Sequence, residues 1–256
     1  MLEISMTKFY KSLALIFFIA ILFGGFFVLF NRKKQVAVEK NKIKIVEEKK
    51  LAILSEDKVE ESNIEPNIPA KISISVPFTS QAPFGKWDIY HEEACEEASL
   101  IMLAYFAKGK NLTPEIAEEE IQNLIAYEIK TAGKYKDSVA QELADLGEKY
   151  YGLKNLKVVY DFTAEDLKKY LAKGKPIIVP AAGRMLKNPN FKSPGPLYHN
   201  LVLTGYDGDI IITNDPGTKK GENYRYNIKI IYNAIHDFPG DKTKIEIGRK
   251  AMIVVE

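Results

Sequence analysis

The chain has 256 residues, a formal net charge of +2 from 36 lysines and arginines against 34 aspartates and glutamates, and one cysteine. That length holds one globular domain with further segments. The near-balanced charge gives no electrostatic case for nucleic acid, no cysteine/histidine spacing fits a zinc site, and a single cysteine excludes an internal disulfide framework.

In chain order, a short tail (1–12) precedes the run LALIFFIAILFGGFFVLF at 13–30, which carries no charge and no proline. At about 1.5 Å per residue the run covers roughly 27 Å, close to a bilayer's hydrocarbon core. Lys8 and Lys11 precede it, and Arg32, Lys33 and Lys34 follow. We read it as a single N-terminal transmembrane anchor. A cleaved signal peptide is the competing reading, but the run is long for one and no small-residue cleavage site ends it. The expected localisation is membrane-anchored with an extracytoplasmic domain, although the basic C-terminal flank argues for the opposite orientation. Residues 31–70 mix lysine and glutamate with scattered aliphatics up to Pro66 and Pro69, and read as a stalk.

A domain is expected over 71–256. KISISVPF alternates like a strand. A helix is predicted from near Cys95 to Lys108, closed by Gly109. Thr113 and Pro114 open a second helix to about Lys130, and a third runs from near Asp137 to Tyr150. NLKVVYDF reads as a strand, and Thr163 with Asp166 caps a helix ending at Gly174. KPIIVPA is a buried strand. After the Pro- and Gly-rich stretch 182–198, HNLVLTGYDGDIIITNDPGT reads as a hairpin turning at Asp207-Gly208. IKIIY and KAMIVVE add strands. The pattern predicts an α+β fold with a mostly antiparallel sheet.

Cys95 lies in the first turn of its helix, where open amide N–H groups favour a negative sulfur. Glu92, Glu93, Glu96 and Glu97 oppose that by like-charge repulsion, and a buried packing thiol is the plainer reading. A cysteine nucleophile needs a histidine, and the histidine needs an orienting carboxylate or amide. His199 and Asp215 are symmetric about residue 207. With a three-residue loop at 206–208 they face each other across the ladder; with a two-residue turn Asn200 takes that place instead. Asp215 also reads as a cap for the NDPG turn. His91 is expected on the surface or as a cap, and His236 in a turn. A metal site from His91 and the glutamates fits no recurrent ligand spacing.

Taken together, SVPFTSQAP, the CEEAS helix start, the AGR…NP…GP.YH loop and HNLVLTGYD…TNDPGT resemble the stand-alone peptidase C-39-like proteins. These are relatives of the bacteriocin-processing peptidases among papain-like cysteine peptidases. The resemblance covers roughly residues 72–256. It implies a papain-like fold, Cys95 as nucleophile, His199 as base, Asp215 as orienting residue, and Gln81 as an oxyanion-hole donor. Gln81 stands fourteen residues before Cys95, farther than such enzymes usually place it, so the WDIYHEEA stretch must loop out. Glu96 stands where transporter-linked peptidases have glycine, so their leader specificity does not carry over. The implied activity is a membrane-anchored cysteine peptidase acting on a peptide or protein substrate through a thioester, without cofactor or metal. A catalytically inactive binding or scaffold domain and a cysteine acyltransferase are the alternatives. Trp87 and Tyr198 are candidates for the substrate cleft.

Overall fold

A computed structural model describes residues 68–133 and 135–255. Residues 13–30 lie outside that part, as does most of the charged stretch behind them. Among the described residues no helix is long and apolar enough to cross a membrane. The expected transmembrane helix, membrane partner and membrane-anchored localisation are therefore withdrawn. They rested on residues 13–30, and no element of the described part supplies a span.

Seven antiparallel strands form one sheet. Its path runs β2 (Leu156–Tyr160), β7 (Ala251–Val255), β3 (Ile177–Ala182), β4 (Tyr198–Asp207), β5 (Ile210–Asn214) and β6 (Tyr224–Asn227). β3 pairs with residues 198–203 of β4, and β1 (Lys71–Ser73) pairs with its residues 205–207. Gly205 permits the β1 contact, because a Cβ there would lie 2.2 Å from the Ile72 carbonyl oxygen.

Side chains along β4 alternate between two cores, as a two-residue period requires. Val202 packs with Leu100, Met102 and Leu103 of α1 (Cys95–Ala107) and Leu143 of α3 (Ala140–Tyr151). Leu201 and Leu203 pack on the opposite face with Leu167 and Leu171 of α4 (Ala164–Ala172) and Ile231 of α5 (Ile228–Ala234). α1 is buried from Cys95 to Tyr105, and α2 (Pro114–Ala132) covers its outer side through Ile121 and Leu124 against Ile101. A helix buried on all sides is held by its neighbours, each large aliphatic contributing about 1.5–3 kcal/mol. Cys95 thus begins a rigid element.

Helix ends follow their capping residues. Thr113 Oγ1 accepts the Ile116 N–H ahead of Pro114, and Gly133 ends α2 at φ 76°. Thr163 and Asp166 cap α4 reciprocally. IKIIY is a correction: the stretch is α5, not a strand. Asn227 caps it by accepting the Lys229 N–H, and Ile228, Ile231, Ala234 and Ile235 are buried at helical spacing. The strand in this region is instead β6, just before it.

Candidate active site

Cys95 is the first residue of α1 and is 5 % exposed. Ala94 before it offers no side-chain cap to the N–H groups of the first turn. The backbone N–H of Asn200, near the start of β4, favours the thiolate and so works to lower the thiol's pKa.

The register that brings Asp215 to His199 differs from both sequence readings. Asp207 pairs with Ile210, so the turn is the two residues Gly208 and Asp209, with Gly208 supplying a φ of 58°. Continued unbroken, that register would put Asp215 opposite Val202, on the wrong face for His199. A β-bulge at Thr204, between Leu203 and Gly205, adds one residue to β4. Val202 then pairs with Asn214, and Asp215 comes onto the same face as Leu201 and His199. His199 Nε2 and Asp215 Oδ1 lie 2.8 Å apart, both fully buried.

Asp215 is held from every side. Its Oδ1 accepts the Gly217 N–H at 3.0 Å, and its Oδ2 accepts Tyr226 OH at 2.7 Å and Asn188 Nδ2 at 3.1 Å. Burial pushes the carboxyl up, but His199, the Tyr226 hydroxyl and the Gly217 amide together hold it below the usual carboxylate value. It is a buried, ionised acceptor. Gly217 closes over the imidazole: a Cβ there would lie 2.8 Å from His199 Cε1. Phe191 packs edge-on against the same ring at 5.3 Å between centroids. Asn188 and Tyr226 escaped the sequence reading, because nothing local marks either as a partner of Asp215.

Gln81 lines the same cavity as Cys95, and residues 87–90 between them are exposed, Ile89 at 75 %. Its Nε2 donates to the carbonyls of His91 at 2.8 Å and Glu92 at 3.1 Å. Both donors of the amide are therefore spent on the segment leading into α1. His91 corrects the surface expectation: it is buried, with Nδ1 2.8 Å from Asp88 Oδ1 and Nε2 3.1 Å from Glu118. His236 bonds the Gly248 carbonyl away from the site.

Gln81, Cys95 and His199 line one cavity of about 840 Å³, together with the cleft candidates Trp87 and Tyr198. Trp87 is 43 % exposed, whereas Tyr198 is buried and donates its hydroxyl to the Ser138 carbonyl at 2.9 Å. The loop between β3 and β4 forms another wall through Pro189 to Lys192 and Pro196.

The acidic residues near the thiol are of two kinds. Glu93 is partly exposed and bonded to Lys242 at 3.0 Å. Glu96 and Glu97 are buried; Glu96 accepts from Ser138, and Glu97 accepts from Tyr135 OH at 3.0 Å. Burial drives both carboxyls well above the usual value, and it pushes Glu128, which pairs with Glu97, up to about 7. Burial, then Glu96 and Glu97, likewise raise the Cys95 thiol. Burial is the largest opposition to a thiolate at Cys95, with Glu96 and Glu97 next. Folded values raised above unfolded ones stabilise fully below about pH 4.5, and that stability is lost as pH rises through the folded values. The melting temperature is therefore expected to fall by on the order of 5 °C between pH 5 and pH 8. Glu128→Gln should flatten that slope in a thermal melt series.

The model of the Peptidase_C39 like family matches residues 73–238. No curated protein matches the chain. Among solved structures, a Bacillus anthracis protein described as a C39-like peptidase aligns at 19 % identity with a TM-score of 0.48, covering 73 % of this chain and 98 % of its own. A fragment of Prevotella intermedia prointerpain A, in a cysteine-to-alanine form, aligns at 12 % identity with a TM-score of 0.44, covering 73 % and 72 %. The family match spans well over half of the sequence and includes Gln81, Cys95, His199 and Asp215, and the chain belongs to the peptidase C39-like family.

Proposed function

We propose that the chain is a cysteine peptidase or amidase that cleaves a peptide or protein substrate through a thioester. The observation that carries this reading is the buried His199–Asp215 pair at 2.8 Å, whose imidazole lines the same cavity as a thiol at a helix start. Asp215 occupies Nε2 and so leaves Nδ1 as the nitrogen that serves the thiol. His199 takes the thiol proton as Sγ attacks the carbonyl carbon. It then returns that proton to the departing amine, and afterwards activates a water that splits the thioester. The Cys95 N–H, without an intrahelical partner, is the ready donor for the oxyanion. Gln81 joins it only by exchanging one of its bonds to the His91 and Glu92 carbonyls.

The direct test incubates the protein with a defined peptide mixture and reads new termini by mass spectrometry. Cleavage is expected from the native chain and not from Cys95→Ala; cleavage that survives this substitution would rule out the cysteine mechanism. A binding domain without turnover is the second reading. It is favoured by the burial that raises the Cys95 thiol, and it predicts peptide binding with no new termini.

A further inference from the structure

The cavity is not electrically neutral. Four lysines line it, Lys192, Lys219, Lys220 and Lys242, against the two carboxylates Glu92 and Glu93. The whole chain balances 36 basic residues against 34 acidic ones, so this small part of the surface carries an excess as large as that of the entire protein. The ionic pairing sharpens the contrast. Lys242 is neutralised by Glu93 at 3.0 Å and Asp137 at 3.6 Å. Lys192, Lys219 and Lys220 have no carboxylate within ion-pair distance among the described residues.

The three unpaired cations come from the two loops that flank His199. Lys192 follows Phe191, the ring packed on the imidazole. Lys219 and Lys220 follow the Gly217 turn that closes over it. Lys219 also reaches across to Gly85, where a Cβ would lie 2.2 Å from its Nζ, and so spans from the 217–220 turn to the 82–85 turn. Glu92 and the neutralised Glu93 stand on the side of the 3-10 turn that precedes Cys95. A cleft with low-dielectric walls focuses the field of like charges toward a bound ligand.

We infer that the His199 side of this cleft recognises a peptide carboxylate, carried by an acidic side chain or by a free C-terminus, through Lys192, Lys219 and Lys220. This rests on the peptidase reading for its substrate class but makes a separate claim about charge.

The test uses the full chain carrying Cys95→Ala, with Cys95→Ser as a second background, so that peptide stays uncut. The chain's single tryptophan, Trp87, lines the cavity and reports binding by its fluorescence. Four short peptides are compared: an end-blocked peptide with two glutamates, its glutamine counterpart, its lysine counterpart, and the glutamine peptide with a free C-terminal carboxylate. The glutamate peptide is expected to bind about tenfold more tightly than its glutamine counterpart at low salt, and the lysine peptide more weakly than either. About 0.5 M salt should erase most of the difference. The preference should also vanish in Lys219→Gln/Lys220→Gln and shrink in Lys192→Gln. Tight binding of the free-carboxylate peptide assigns the contact to a chain end; its absence assigns it to acidic side chains. Failure of both the glutamate peptide and the free-carboxylate peptide to bind more tightly than the end-blocked glutamine peptide, or a preference that survives all three lysine substitutions, would overturn the inference. Acid-selective binding without cleavage by the native chain would leave the inference standing and sink the peptidase reading. Cleavage without acid preference would do the reverse.

Discussion

His199→Ala is expected to lower kcat/KM for a cleaved peptide by about 10⁴- to 10⁶-fold, the range seen when one member of such a catalytic unit is removed. The loss should be chemical. Asp215 keeps its Tyr226, Asn188 and Gly217 donors when the imidazole is gone, so its charge remains solvated by protein. Steady-state kinetics paired with a thermal melt check this. A loss of less than about tenfold, in a protein that still melts cooperatively, would mean that the imidazole does not take the thiol proton.

Asp215→Ala should be costly in two currencies at once. It strips the acceptor from Tyr226 OH, Asn188 Nδ2, the Gly217 N–H and His199 Nε2, all around a fully buried point. Each orphaned buried group costs about 1–3 kcal/mol, and breaking a buried charged pair about 3–5 kcal/mol, with the shares not additive. We expect about 3–5 kcal/mol in denaturant unfolding, a large part of a typical domain's stability. On the proposed mechanism peptide cleavage should be lost as well, because the hydrogen bond at Nε2 that sets the ring's tautomer is gone and only the packing of Phe191 and Gly217 remains. Tyr226→Phe is the milder version: one donor goes and the carboxyl rises. Asp215 has a folded value below its unfolded one. Its stabilisation is therefore complete above about pH 4 and lost as pH falls through the lower folded value. In Tyr226→Phe that acid limb should move to higher pH, an effect that loss of packing alone would not produce.

The residues of the site were legible as chemistry, while their meeting was legible only in part. One thiol at a helix start, one histidine opening a strand and one aspartate ending the next left few combinations to weigh. Their symmetric spacing suggested a facing pair across a three-residue loop. The chain reaches the same face another way, with a two-residue turn at Gly208–Asp209 and a bulge at Thr204. No residue type announces a bulge, and parity could not be settled without it. Helix ends at Thr113 and Thr163 were readable because capping is local chemistry. IKIIY misled because β-branched residues favour strands, whereas the Asn227 cap and burial against the sheet decided for a helix. Asn188 and Tyr226 are 27 and 11 positions from Asp215, so only the folded loop brings them together. The glutamates beside Cys95 read in the sequence as charges. Burial, which the sequence does not display, raises the carboxyls of Glu96 and Glu97 well above the usual value.

The proposed chemistry requires Cys95 and His199 to act as a pair. The measurement that tests this directly is the rate of Cys95 alkylation by iodoacetamide against pH, in the full chain and in His199→Ala. The single cysteine makes the label unambiguous. If Cys95 and His199 do act as a pair, the native midpoint lies at least about one pH unit below that of the variant, with labelling at neutral pH at least about tenfold faster. Superimposed profiles, or no labelling of either protein until it is denatured, would contradict it and leave Cys95 a packing residue at the head of a buried helix.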